Sequence, residues 1–128
     1  MVGLVVVSHS GKAAEGICEI AAQMGGGDAR IEPAGGGPDG DIGTSVDRIE
    51  AAIADAADGD GVVVLVDLGS AVMNAEVAME MSDSNVRIAD APILEGTLNA
   101  AVEASGSKAT LDSVVEAAEE ARDYRKLN

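Results

Sequence analysis

The chain holds a single histidine, His9, in the stretch Ser8-His9-Ser10-Gly11, directly after the apolar run Val2-Gly3-Leu4-Val5-Val6-Val7. Such a run reads as a strand buried on both faces, and the residues from Ser10 onward read as a helix start. The imidazole therefore stands at the tip of a buried strand. In parallel α/β sheets that edge is where ligands bind, and histidine is the side chain whose ordinary charge change falls near neutral pH. A second apolar run, Gly61-Val62-Val63-Val64-Leu65-Val66, breaks at Asp67-Leu68-Gly69-Ser70. If these two strands are neighbours in a doubly wound order, Asp67 arrives beside His9. A carboxylate that accepts a hydrogen bond from one ring nitrogen fixes the tautomer and leaves the other nitrogen free as nucleophile or base.

The elements that must position this pair are read from periodicity. Ser10 to Met24 repeats apolar residues at Ala13, Ile17, Ile20, Ala21 and Met24, a helix with Ser10 as N-cap, ended by Gly25-Gly26-Gly27. Ala29 to Pro33 is a short strand, and Gly35 to Gly40 is loop by composition. A second helix opens at Gly43-Thr44-Ser45 with Val46, Ile49, Ala52, Ile53 and Ala56 as its stripe, Thr44 and Asp47 forming the capping arrangement. After the Asp67 strand comes a helix with Met73, Val77 and Met81 on one face, the spacing of a core stripe or an adaptable interface. Val86 to Ala89 is a brief strand, Pro92 to Gly96 a turn region, and Thr97 to Ala104 a helix with Leu98, Ala101 and Val102 inward. Leu111, Val114, Val115, Ala118 and Ala121 mark a last helix, and residues 123–128 are expected to fray. The alternation predicts one α/β domain over residues 1–128. It has three layers, a mainly parallel central sheet of strand order 2-1-3-4, and helices on both faces.

Three strand-end loops then share one edge: Ser8-His9-Ser10, Thr44-Ser45 and Asp67-Leu68-Gly69-Ser70. Helix N-termini there present unpaired N–H groups and partial positive charge, which suit an anion. A serine triad lacks its G-x-S-x-G elbow. Neither a P-loop nor a G-x-G-x-x-G turn is matched, and one cysteine with one histidine gives no metal spacing. Covalent phosphorylation of His9 remains, beside the plainer reading in which Asp67 only caps the helix after it. Ser10, Thr44, Ser45 and Ser70 are candidate donors to a phosphoryl group or else ordinary caps. Gly11 and Gly69 allow close backbone approach or serve turns. Lys12 offsets phosphate charge or is simply solvated.

Composition narrows the partners. With 23 acidic residues against 8 basic, the formal net charge is −15, and the acids are spread over the chain. Such a surface repels nucleic-acid backbones and anionic membranes. Without Phe or Trp, and with one Tyr, there are no stacking platforms for single strands either. No run reaches membrane-spanning length and the apolar N-terminus lacks a basic region, so a cytoplasmic protein is expected. Cys18 is read as a small buried residue. Spread carboxylates with few lysines suggest a high-salt cytoplasm that screens self-repulsion.

Taken together, Val5-Val6-Val7-Ser8-His9-Ser10, Gly43-Thr44-Ser45, Asp67-Leu68-Gly69-Ser70-Ala71 and Ala91-Pro92-Ile93-Leu94-Glu95-Gly96-Thr97-Leu98 resemble the mannose-class enzyme IIA domains in order and spacing. The likeness is greatest to the phosphotransfer subunits of dihydroxyacetone kinases that draw on the phosphotransferase system. This resemblance covers nearly the whole chain. It implies transient phosphorylation of His9 on Nε2 by the phosphocarrier HPr, with Asp67 holding Nδ1. It implies transfer to ADP bound on the DhaL subunit, the ATP so formed serving dihydroxyacetone held on DhaK. No cofactor beyond the covalent phosphohistidine and no metal are implied. Homodimers are, together with a further antiparallel edge strand; the segment Pro92 to Gly96 is placed to include that strand or a dimer contact. Because some such proteins carry fused HPr-like and enzyme I-like domains, a chain ending at Asn128 is expected to take phosphate from separate proteins. Acidic residues should be sparse around His9, or their repulsion screened by salt. Two other readings are an enzyme IIA domain feeding a mannose-class sugar permease through an enzyme IIB partner, and a non-catalytic interaction domain in which His9 is incidental.

Overall fold

The computed structural model describes residues 1–25 and 29–127; of the glycines expected to end the first helix, Gly26 and Gly27 lie outside the described residues. Its strands are β1 (Gly3–Ser8), β2 (Ile31–Gly35), β3 (Val62–Val66) and β4 (Val86–Ile88). The helices are α1 (Gly11–Met24), α2 (Val46–Ala56), α3 (Ser70–Met81), α4 (Ile93–Ala104) and α5 (Leu111–Glu120). The strands form one parallel sheet in the order β2-β1-β3-β4, as the alternation predicts.

Strand periodicity divides the core in two. On one face Val5, Val7, Val62, Val64 and Val66 meet Ile49, Ala52, Ile53 and Ala56 of α2 and Ala71, Ala75 and Ala78 of α3. On the other, Leu4, Val63 and Leu65 meet Ala21 of α1, Ala100, Ala101 and Ala104 of α4, and Val114, Val115 and Ala118 of α5. Successive side chains of a strand point to opposite faces. The central strands therefore need apolar residues at every position, which is why β1 and β3 read as unbroken apolar runs.

Some boundaries differ from the sequence reading. The second strand is Ile31–Gly35 and not Ala29 to Pro33, because it pairs with β1 only from Leu4↔Ile31 to Ser8↔Gly35. Pro33 is accommodated since β2 is an edge strand and needs no outward N–H. The fourth helix starts at Ile93 and not Thr97, taking in the segment expected to supply an antiparallel strand. Pro92 occupies its N-cap, where a missing N–H costs nothing. The Thr97 hydroxyl donates to the Ile93 carbonyl at 2.6 Å, and Gly96 lies so close to Ala91 that an added Cβ would stand 2.8 Å from its methyl group. The described residues contain no antiparallel strand.

The apolar stripes also differ in an instructive way. In α3 the buried side chains are alanines, whereas Met73, Val77 and Met81 are exposed. Likewise α1 buries Ala14 and Ala21 but exposes Ile20 and Met24, and Val102 of α4 points outward. The sheet already supplies bulk through valine and leucine, so α1, α3 and α4 close on it chiefly with alanines, whereas α2 and α5 also bury Ile49, Ile53, Val114 and Val115. Residues 124–127 are exposed, with the Lys126 ammonium 3.0 Å from the Glu95 carboxylate, and Asn128 lies outside the described residues. Among the described helices none is long and apolar enough to cross a membrane.

Candidate functional site

His9 follows the last residue of β1, and Asp67 the last residue of β3. The register Val7↔Val66 sets the two strand ends level, and the Asp67 N–H donates to the Val7 carbonyl at 3.1 Å. The chain leaves β1 for α1 on one face and β3 for α3 on the other, so a crevice opens between them, the usual ligand position in such sheets.

Every lone-pair direction of Asp67 that faces the protein is used. Oδ1 accepts from the His9 imidazole Nδ1 at 2.9 Å and from the Leu68 N–H at 2.7 Å. Oδ2 accepts from the His9 N–H at 2.9 Å and from the Ser8 hydroxyl at 3.0 Å. Burial pushes the Asp67 carboxyl up, but the backbone N–H groups of His9 and Leu68, with the imidazole and the Ser8 hydroxyl, outweigh it and hold the carboxyl below the usual value. A carboxylate in that position can only accept, so the imidazole proton sits on Nδ1. Nε2 is left as the ring's lone pair, 2.9 Å from the Ser70 hydroxyl oxygen. Side-chain exposures of 26% for His9 and 21% for Asp67 leave both half-buried, with the Nε2 side of the ring on the exposed side of the pair.

The hydroxyl residues do not all serve the site. Ser70 touches Nε2, and Thr44 lies 3.3 Å from Ser70. Ser45 is instead the N-cap of α2, accepting from the Arg48 N–H at 3.3 Å; it is buried and makes no described contact with His9. The cap expected at Thr44 is thus one residue later, and Thr44 is freed to face the crevice. Ser10 caps α1 through the Ala13 N–H at 3.2 Å and lines, with His9, Gly11, Lys12, Glu15 and Asp41, an open cleft of about 490 Å³. Two carboxylates therefore share the rim with one lysine, where few acids were expected. Gly69 has φ +51° before α3, a backbone region that disfavours side chains, and among the described residues no side chain caps that helix. The first-turn N–H groups of Ala71 and Val72 are instead taken up by the Leu68 and Gly69 carbonyls, at 3.0 and 3.1 Å. Gly35 lets the α1 start lie against β2, since a Cβ there would stand 2.6 Å from the Gly11 Cα.

Two residues were not singled out from sequence. Ser8 braces Asp67 and accepts from the Ser10 N–H at 3.1 Å. Asn74 donates through Nδ2 to the Thr44 hydroxyl at 2.6 Å. The signal for Asn74 was its place four residues after Ser70, which puts both on one side of α3. Among the described residues no cluster of three or more His, Cys, Asp or Glu is arranged to hold a metal ion.

Residues 3–115 match the family described as the phosphotransferase system (PTS) fructose IIA component. Over 125 residues, 92% of the chain, it is 43% identical to the PEP-dependent dihydroxyacetone kinase phosphoryl donor subunit DhaM of Pantoea ananatis, and spans only 26% of that protein. The chain thus spans about a quarter of that relative's length. The DhaM subunit of dihydroxyacetone kinase 2 of Listeria innocua is 37% identical over 107 residues, covering 80% of this chain and 86% of the relative. Among solved structures, a protein of unknown function, EF1359, superposes with a TM-score of 0.81 at 30% identity, covering 99% of this chain and 98% of its own.

Proposed function

The chain belongs to the mannose-type enzyme IIA family of the phosphotransferase system and is of the DhaM type, and from that premise we propose that it is a phosphohistidine relay for a dihydroxyacetone kinase. His9 takes a phosphoryl group from the phosphohistidine of HPr and passes it to ADP bound on DhaL, and the ATP formed phosphorylates dihydroxyacetone on DhaK. One observation carries the reading: the only histidine has its Nδ1 tied to Asp67 at 2.9 Å while its Nε2 lies in an open crevice among hydroxyls.

The step balances without moving a proton. The Nε2 lone pair attacks phosphorus in line, the donor's P–N bond breaks, and the donor imidazole leaves with its electron pair. Nδ1 keeps its proton, and the ring, which gains positive character, is stabilised by the Asp67 carboxylate. Loose phosphoryl transfer needs little covalent assistance, so positioning and hydrogen-bond donors to the phosphoryl oxygens do most of the catalysis. Ser70 and Thr44 supply such donors, at the positive end of the α3 dipole. Ser10 and Gly11 line a cleft with His9 on the α1 side of the ring.

The test is to incubate the protein with phosphoenolpyruvate, enzyme I and HPr, and then add DhaL loaded with ADP. Acid-labile phosphate on the wild type but not on His9→Ala is expected, with loss of label and formation of ATP on adding DhaL. An unlabelled wild type overturns the relay. A label that DhaL–ADP cannot remove, but a sugar-permease IIB partner can, assigns the protein to sugar transport instead.

A further inference from the structure

We infer that Asn74 is a positioning residue that fixes the direction of the hydrogen-bond chain ending on the nucleophilic nitrogen of His9. The inference rests on the relay reading for its purpose, and on the geometry of four side chains for its content. Asn74 Nδ2 lies 2.6 Å from Thr44 Oγ1, Thr44 Oγ1 lies 3.3 Å from Ser70 Oγ, and Ser70 Oγ lies 2.9 Å from His9 Nε2.

The protons can be assigned from both ends. At the His9 end Asp67 keeps the ring proton on Nδ1, so Nε2 can only accept and Ser70 must donate its one proton there. Ser70 then has no proton for Thr44, so Thr44 donates to Ser70. At the other end an amide N–H can only donate, so Thr44 accepts from Asn74 and its own proton is turned toward Ser70. The two assignments agree, and the chain runs Asn74 to Thr44 to Ser70 to Nε2.

This direction has a consequence for transfer. When Nε2 bonds phosphorus it stops being an acceptor, and the Ser70 proton swings to a phosphoryl oxygen without any proton changing owner. A chain running the other way would present oxygen lone pairs to an incoming anion. Asn74 therefore keeps the Thr44 proton turned toward Ser70, whose own proton Nε2 already draws, and so holds the hydroxyl pair as a donor set before the phosphoryl group arrives, which is preorganisation of the kind phosphoryl transfer exploits. It touches neither His9 nor the reacting atoms.

The experiment uses the intact chain labelled with ¹⁵N-histidine, where the single histidine gives one pair of ring signals. Asn74→Asp replaces the donor with an acceptor of the same shape and should reverse Thr44. The Nε2 signal should move toward that of a lone pair without a donor, and phosphorylation by phospho-HPr should slow by about 3- to 10-fold. Asn74→Ala, which removes the donor and adds no charge, should shift Nε2 in the same direction by less. Because Asp also introduces charge, the same change is made in a Thr44→Val background, where the chain is already cut. There Asn74→Asp should leave Nε2 unchanged. An undiminished Nε2 shift in the Thr44→Val background, or a wild-type Nε2 signal in both single variants, overturns the inference. The ring signals are read on unphosphorylated protein, so failure of the relay reading, seen as an unlabelled wild type, is distinguishable from failure of this one.

Discussion

Replacing Asp67 by Asn tests the site with almost no change of shape. The native carboxylate accepts from Leu68 N–H and His9 Nδ1 on one oxygen, and from His9 N–H and Ser8 on the other. An amide offers one oxygen and one NH₂, so one backbone N–H must face a donor. Turning the NH₂ toward Leu68 sacrifices an N–H at an exposed position, whereas the other orientation sacrifices the part-buried N–H of His9. The first is therefore preferred, and it points the NH₂ at Nδ1. The ring responds by moving its proton to Nε2, so that Nδ1 can accept and the nucleophile is blocked. Recovering the productive tautomer then costs about the worth of one charge-assisted hydrogen bond, roughly 1.5–3 kcal/mol. That converts to a rate of phosphorylation lower by about 10- to 200-fold. Rapid-quench measurement of acid-labile phosphate after mixing with phospho-HPr gives the rate, and ¹⁵N spectra of the lone histidine give the tautomer. A rate within about twofold of wild type, or a ring proton still on Nδ1, refutes the reasoning.

Four further outcomes are expected on the same structural grounds. Ser45→Ala should cost about 1 kcal/mol of stability through the lost α2 cap yet leave labelling near wild type, while Thr44→Val should slow labelling several-fold with little change in melting. Gly35→Ala places a Cβ 2.6 Å from the Gly11 Cα and 2.7 Å from the Ser10 carbonyl oxygen, backbone atoms that cannot rotate away. Urea unfolding should show a loss of about 1–3 kcal/mol, with slower labelling because the α1 start is displaced. Burial pushes the Cys18 thiol up to about 12, with the Glu32 and Glu15 carboxylates adding to it, so alkylation at pH 8 should run roughly a thousandfold slower than for a free cysteine and recover in urea. The Asp67 carboxyl is held below its unfolded value of about 3.9, so between the folded and unfolded values the unfolded chain binds more protons. The stability this supplies is present above about pH 4 and lost as pH falls through the folded value. Acid titration of Asp67→Asn should show a shallower decline over that window.

What could be read from the sequence divides by physical cause. The unbroken runs of β1 and β3 could mean only strands covered on both faces, and with right-handed crossovers they brought His9 and Asp67 to adjacent strand ends. Hydrogen bonds of specific hydroxyls could not be read the same way. Thr44 and Ser45 are both good caps by type, and the difference between them is one residue of register at the start of α2. Asn74 offers only its place four residues after Ser70, since an amide on a helix is ordinary until its neighbour across the crevice is known. The helix faces mislead for a different reason. Size is a poor guide to burial at Met73, Val77 and Met81, because a sheet dense in valine fully buries only Ala71, Ala75 and Ala78 of α3, with Met79 packed at the margin. Pro92 suggests a turn, which is equally what a helix start uses it for.

The division of labour within the site follows from where its parts are mounted. The ring and the carboxylate that fixes its proton come from the ends of neighbouring strands, joined by the Asp67 N–H to Val7 bond and by the His9 N–H to Asp67 bond. That part must be the same before and after transfer, because Nδ1 keeps its proton throughout, and the sheet is the stiffest element available. Ser70 and Thr44 come from a helix start behind a positive-φ glycine and from a loop containing Gly36, Gly40 and Gly43, all of positive φ. In the proposed relay those hydroxyls change partner, from a lone pair to phosphoryl oxygens, within each cycle. Gly43 N–H holds the His9 carbonyl at 2.9 Å, so the loop that carries Thr44 is tied to the same strand end it serves. The hydroxyls can turn to new partners while the backbone that carries them stays tied. A rigid proton holder and an adjustable donor set are what a residue needs if it is to receive a phosphoryl group and then give it up.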